Sequence, residues 1–317
     1  MRSGKYVWAV IYGVLLSAFT LYACLDTFVI QRVYEVPDQP VTKYTLGAQN
    51  SETSGGAAET SDTAETDPSD TTDTVGTENA GYAAEPDVKI TEYRYNDTTV
   101  YVADIVLSSP DQLKTALARS SYGKNVTEKT SVIAADNSAL LAINGDYYGA
   151  RERGYVIREG IIYRSTRRQG AEDLVIYRDG TMRIISESDV SAEELLNDGA
   201  YNVFSFGPGL ISDGVITVSE GYEVGQAMAS NPRTAIGQVD GLHYVFVVSD
   251  GRTSESAGLS LYELARFMSE LGVSVAYNLD GGGSSTMYYN GEVVNNPTTN
   301  GKRISERSVS DIVYIGY

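Results

Sequence analysis

Apolar and polar positions alternate through most of the chain beyond residue 87, and the period changes from two to 3.6 only in short stretches. Val88 to Tyr95 and Val100 to Leu107 alternate about Asn96-Asp97, which predicts a β-hairpin. Ser109-Pro110 predicts a helix running to about Ala118, with proline at the first helical position where its missing N–H does no harm. A short helix is expected from Thr130 to Ala135, then a buried strand from Leu140 to Ile143. Ser191 with Glu194, and Ser260 with Glu263, have the spacing of capping boxes at helix starts. The second of these helices carries Leu261, Leu264, Ala265, Met268 and Leu271 on one face and stops at Gly272. It feeds a strand from Val273 to Tyr277. Asn290-Gly291 predicts a type I′ hairpin, and Asp311 to Tyr317 a closing strand. Short strands outnumber helices, so the expected fold class is α+β, on a mixed, largely antiparallel sheet with interspersed helices.

The first ninety residues follow other rules. Arg2 and Lys5 precede an uncharged run from Tyr6 to Cys24, and apolar character resumes after Asp26 as far as Ile30. Such a run suits a membrane-spanning helix with its basic end in the cytoplasm and the rest of the chain outside. A cleaved signal peptide competes, since Ala18 to Cys24 supplies small residues, and Leu21-Tyr22-Ala23-Cys24 loosely resembles a lipoprotein box. Between Ala48 and Asp87 lie ten acids and neither Lys nor Arg, in a Ser/Thr/Gly/Ala background with few large apolar residues. That composition cannot bury enough surface to offset its ordering entropy, and a disordered stalk is expected. The predicted organisation is 1–34 cytoplasmic tip and anchor, 35–87 acidic linker, and 88–317 globular domain.

Counts of a few residue types exclude whole mechanisms. A net charge of −18, with Arg164, Arg167 and Arg168 as the nearest thing to a basic patch, argues against a nucleic-acid surface. Cys24 and His243 are the sole cysteine and histidine. No disulfide can form within the chain, no Cys/His zinc cluster can assemble, and any Ser-His-Asp triad would have to use His243, which reads as a strand-end residue. Tyrosine, at 24 residues against 6 phenylalanines, offers flat faces with polar tips that suit carbohydrate.

Candidate chemistry gathers where apolar strands end in polar, glycine-containing turns. Leu140 to Ile143 runs into Asn144-Gly145-Asp146-Tyr147-Tyr148, and Val245 to Val248 into Ser249-Asp250-Gly251-Arg252. Asn231-Pro232-Arg233-Thr234 leads into another strand. Ala276-Tyr277-Asn278-Leu279-Asp280-Gly281-Gly282-Gly283-Ser284-Ser285-Thr286 is the most marked of these turns, because three glycines strip every Cβ and expose backbone for a ligand or an anion-binding nest. If these strand ends meet at one rim, Asp146, Asp250 and Asp280 come together with Arg233 and Arg252. Carboxylates beside guanidiniums suit a substrate with both a glycosidic bond and an anion. The sequence requires no cofactor, although acidic residues would also suit a divalent cation.

These segments resemble, in order, the motif series of the phosphodiester glycosidase family: Ile143 to Tyr148, Asn231 to Gly237, Asp250-Gly251-Arg252, Gly258-Leu259-Ser260-Leu261, and Asn278 to Met287. The resemblance covers roughly Asn125 to Tyr317 and leaves out the anchor and the linker. It implies hydrolysis of a sugar-1-phosphodiester at the anomeric carbon and, with the export segment, a bacterial envelope member acting on a sugar-phosphate or polysaccharide substrate. It implies Asp280 as first choice for the catalytic carboxylate, then Asp146 and Asp250. Substrate would be bound by Asn144, Arg233, Arg252, Asn278, Gly281, Gly282, Gly283, Ser284 and Ser285. A non-catalytic module that binds phosphorylated surface polysaccharide is the alternative. A P-loop reading fails, since no lysine follows the glycines.

Overall fold

The computed structural model describes residues 6–35, 84–222 and 229–317. Arg2 and Lys5, and residues 36–83 of the expected linker, lie outside the described residues. Among those described, the strands form three principal sheets, and every strand pair is antiparallel, including those of the short fourth sheet.

The seven-stranded sheet runs in the order Val215–Ile216, Gly209–Ser212, Val275–Asn278, Arg233–Asp240, His243–Ser249, Thr98–Val106, Asp87–Tyr95. Its edge hairpin turns at Asn96 and Asp97, both with positive φ, as a type I′ turn requires. A five-stranded sheet orders Glu292–Val293, Met287–Tyr289, Leu141–Asn144, Asp311–Ile315 and Leu113–Leu117. A second five-stranded sheet orders Met182–Ser186, Glu172–Tyr177, Ala200–Phe204, Val156–Arg158 and Ile161–Arg164.

One core joins the three sheets. Ile105, Ile236, Phe246 and Tyr277 from the first meet Leu141, Ile143 and Val313 from the second, and Leu174 and Phe204 from the third. The outer face of the seven-stranded sheet is covered by the helix Leu261–Glu270, which buries Leu261, Leu264, Ala265, Phe267 and Met268. Each large side chain removed from water there contributes about 1.5–3 kcal/mol. The Ser260/Glu263 capping box starts that helix and Gly272, at φ 80°, follows its end. Ser191 and Glu194 cap Ala192–Asn197 in the same way. The helix Thr130–Asp136 covers the outer face of the first five-stranded sheet.

One predicted element differs. The helix expected after Ser109-Pro110 is a single 3-10 turn, Pro110–Gln112, followed by the strand Leu113–Leu117. Pairing with Asp311–Ile315 buries Leu113 and Thr115, and this long-range ladder outweighs the local helix signal. His243 stands at a strand end as expected, with Nε2 2.5 Å from Asp104 Oδ1.

At the N-terminus a 22-residue helix, Val7–Phe28, has none of its residues buried. It is long and apolar enough to cross a membrane, a property that signal sequences share.

Candidate active site

The Asn278–Thr286 turn crosses from one sheet to another. Val275–Asn278 lies between Gly209–Ser212 and Arg233–Asp240, while Met287–Tyr289 pairs with Leu141–Asn144. Asn144 pins this crossing: its amide donates to the Asp280 carbonyl at 2.6 Å, and its Oδ1 accepts from Thr234 Oγ1 (2.8 Å) and the Thr286 N–H (3.1 Å). The Asp280 N–H donates to the Gly145 carbonyl at 3.1 Å. The turns carrying Asp146 and Asp280 are thus stitched together at one seam, as the strand-end pattern suggested.

Asp280 is 7% exposed. Ser284 Oγ donates to its Oδ2 at 2.6 Å, and Arg307 Nη2 lies 3.2 Å from Oδ2 and 3.4 Å from Oδ1. Arg307 also donates to Ser284 Oγ through Nε (2.9 Å) and Nη2 (2.7 Å), and to the Gly281 carbonyl (3.1 Å). Burial pushes the Asp280 carboxyl above its ordinary value, while Arg307 and the Ser284 hydroxyl pull it back. A buried carboxylate with a raised pKa beside an arginine is a candidate base or nucleophile.

Asp146 is more fully engaged. Its Oδ1 accepts from the Tyr147 N–H (2.6 Å) and its Oδ2 from the Ser205 N–H (2.7 Å). Its own N–H donates to Asp311 Oδ1 at 2.7 Å. Behind it, Arg158 grips Asp311 Oδ2 through Nε (2.9 Å) and Nη2 (2.7 Å), and Arg158 Nη2 is 3.9 Å from Asp146 Oδ2. This buried pair fixes the Asp146 turn. Asp250 meets only neutral donors: its Oδ1 accepts from Asn295 Nδ2 (3.2 Å), which also donates to the Ser285 carbonyl, and from the Asn296 N–H (2.9 Å), and its Oδ2 accepts from Asn296 Nδ2 (3.0 Å). Its geometry is that of a loop holder.

The arginines divide similarly. Arg233 is 3% exposed, with Nε on the Leu259 carbonyl at 2.8 Å. Arg252 is half-buried at φ 62°, and its partners are the neutral acceptors Asn231 Oδ1 (3.0 Å) and the Thr299 carbonyl (2.5 Å). Burial and neighbouring Arg307 both lower its pKa, and both guanidiniums lie against the glycine turn, Arg252 beside Gly282 and Arg307 on the Gly281 carbonyl. Arg151 donates to the carbonyls of Ser205 (3.1 Å) and Phe206 (3.4 Å), as Arg168 does at 2.6 and 3.2 Å. Burial and Arg168 lower the Arg151 pKa, while Asp146 and Asp280 raise it. Converging like charges favour an anionic ligand.

The three glycines serve the protein's own packing more than a bare ligand cradle. A Cβ on Gly281 would lie 2.9 Å from the Pro232 carbonyl, one on Gly283 2.4 Å from Thr299 Oγ1, and one on Gly282 (φ 63°) 3.0 Å from Arg252 Nη2. The N–H groups of Gly282, Ser284 and Ser285 donate to the carbonyls of Pro232, Gly281 and Gly282, so the expected anion nest is largely filled from within. Asn278 donates to the Gly207 carbonyl at 2.8 Å, and its Oδ1 and the Ser285 Oγ are buried without a hydrogen-bond partner. Arg307 has no local signal, since it sits in no glycine-containing strand-end turn, and Arg151 lies just beyond the segment from Asn144 to Tyr148. Among the described residues no group of three His, Cys, Asp or Glu side chains is arranged to hold a metal ion.

The family model described as phosphodiester glycosidase matches residues 137–316. The SPbeta prophage-derived uncharacterized protein YomE of Bacillus subtilis is 31% identical over 203 residues, 62% of this chain and 31% of that protein. Human N-acetylglucosamine-1-phosphodiester alpha-N-acetylglucosaminidase is 42% identical over 66 residues, 21% of this chain and 13% of that protein. The chain thus spans a third or less of these relatives. The solved zebrafish catalytic domain of that enzyme, auto-inhibited by pro-peptide, superposes with a TM-score of 0.57 at 22% identity, covering 76% of this chain and 85% of that one. A hypothetical protein from Synechocystis gives 0.52 at 16%, covering 75% and 64%. These last two likenesses concern the fold. With its matched region running through both the Asp146 and Asp280 turns and Arg307, the chain belongs to the phosphodiester glycosidase family.

Proposed function

We propose that this chain hydrolyses the glycosidic bond of sugar-1-phosphodiesters in envelope glycans or polysaccharides, outside the cytoplasm and held at the membrane by Val7–Phe28. The observation that carries the reading is Asp280, 7% exposed and held by Arg307 beside a second guanidinium, Arg252, whose partners are all neutral. That pairing supplies a carboxylate for the sugar and positive charge for the phosphate.

In the reaction an oxygen bonds the anomeric carbon as the bond from that carbon to the phosphate oxygen breaks. The bond electrons leave with the phosphomonoester, whose charge Arg307 and Arg252 receive. Asp280 either takes the proton of the attacking water or itself bonds the anomeric carbon before water releases the sugar. A phosphate leaving group is already an anion, so general-acid help matters less than in an ordinary glycosidase. Asp146, with both oxygens on backbone donors, sets the shape of the seam.

The test is turnover of a panel of sugar-1-phosphodiesters by the full-length protein, with and without a chelator. Release of free sugar and phosphomonoester supports the proposal, and the chelator decides whether a divalent cation takes part. Binding without turnover would replace it with a carbohydrate-binding module.

A further inference from the structure

The segment that follows the apolar helix is built into the globular domain, close to the candidate active site. Arg32–Val33 pairs with Gly123–Lys124 as an added strand, and the Tyr34 N–H donates to the Tyr122 carbonyl at 2.9 Å. Asn125 Nδ2 donates to the Ile30 carbonyl at 2.9 Å. Gly123 is required there, because a Cβ would fall 2.0 Å from the Arg32 carbonyl oxygen. Lys124 Nζ lies 3.6 Å from Asp26 Oδ2, and Asp26 sits within the last turn of the helix. The domain surface therefore touches the helix end directly.

Two cavities open beside that end. One, about 280 Å³, is lined by Thr27 and Phe28 on one side and Tyr147 and Arg307 on the other. The second, about 420 Å³, runs from Thr27 and Tyr34 to Arg151 and Arg164. Thr27 lines both, and the far walls carry Arg307, which pairs with Asp280, and Arg151.

The helix itself fits a bilayer. Its 22 residues rise about 33 Å. The hydroxyl of Thr20 donates back to the carbonyl of Leu16 (2.8 Å), which leaves that donor satisfied in lipid, and that of Thr27, at the surface end, does the same to Ala23 (2.7 Å). Exposed Trp8 near one end and Tyr34 beyond the other match interfacial aromatic anchors.

We infer that the domain is docked against the bilayer surface by residues 26–34, and that the Arg307 and Arg151 cavities present the active site to lipid-borne substrate, a glycosyl-1-phosphodiester whose second ester partner is held in the membrane. The substrate part of this inference rests on the proposed hydrolase activity; the docking does not. Residue 34 and residue 84 are both attached to the domain, the latter through hydrogen bonds from Ser108 Oγ and Gln112 Nε2 to the Ala84 carbonyl. The acidic linker between them does not set the distance from membrane to site.

The test inserts about twenty Gly/Ser residues, a reach of roughly 25 Å, between Phe28 and Val29 of the full-length protein in phosphatidylcholine–phosphatidylglycerol vesicles. A panel of sugar-1-phosphates is supplied both as hexadecyl esters in the vesicles and as methyl esters in solution. The insertion should lower turnover of the hexadecyl esters by about tenfold or more, through lost effective concentration, and leave the methyl esters unchanged. Equal effects on both series, or faster methyl-ester turnover when the helix end is released, would overturn the inference. A fluorophore at Thr127→Cys in a Cys24→Ser background reads the docking independently. A headgroup-level quencher should quench it in the parent and lose that effect after the insertion, whereas no quenching in the parent refutes the docking whatever the activity. Hydrolysis of neither ester series would overturn the proposed function and the substrate assignment, and the quenching result would still decide the docking.

Discussion

Asp250 and Asp280 start from the same local design: each follows an apolar strand of the seven-stranded sheet and precedes a glycine. Their surroundings are opposite. Asp250 meets three neutral N–H donors from Asn295 and Asn296, which use both of its oxygens and tie down a distant turn. Asp280 meets a hydroxyl and a guanidinium whose side chain is 41% exposed, and burial raises its carboxyl. A carboxylate saturated by neutral amides is a structural part. One whose charge is balanced by a partly exposed arginine can exchange partners with substrate. The arginines repeat the contrast, with Arg233 buried on a carbonyl and Arg252 half-buried beside a like charge.

The largest test of this contrast is Asp280→Asn, which keeps size but removes the charge. It should lower kcat by at least ~10² while circular dichroism and melting stay near those of the parent. Near-normal turnover would move the chemistry to Asp146.

Arg307→Ala removes the charge that faces Asp280. Loss of one charge-assisted contact of about 1.5–3 kcal/mol predicts a fall in kcat/KM of roughly ten- to a hundredfold. The pH profile sharpens this. A carboxylate that acts ionised loses activity as pH falls through its pKa, and burial places that of Asp280 above the ordinary carboxylate range. Because Arg307 pulls it down, removing Arg307 should move the acidic limb to still higher pH. An unmoved limb would mean that another group controls it.

Asp250→Ala should act on stability. Unpairing buried donors costs about 2 kcal/mol or more, a drop in Tm of roughly 4–8 °C, with kcat within a few-fold of the parent. A collapse of kcat in the folded variant would return Asp250 to the chemistry.

The smallest effect separates the arginines. Arg252→Lys should raise KM several-fold, since an ammonium lacks the planar fork, whereas Arg233→Lys should change thermal stability and leave KM alone. The reverse outcome would exchange their roles.

Much of this was legible in the sequence for a physical reason. Strand alternation, the Asn96-Asp97 and Asn290-Gly291 turns, the Ser191 and Ser260 capping boxes and the helix stripe ending at Gly272 are local signals that concern neighbours within a few residues. So are the glycine run and the apolar N-terminal stretch. The helix expected after Ser109 gave way where a ladder with Asp311–Ile315 supplied more burial than a helix could. What each charged group contacts was set across long separations: 27 residues between Asp280 and Arg307, 59 between Asp146 and Ser205, and 165 between Asp146 and Asp311. The sequence by itself determined which residues stand at strand ends. Only the tertiary structure decided which of those carboxylates meets an arginine and which is filled by amides, because burial and pairing energies depend on groups that folding alone brings together.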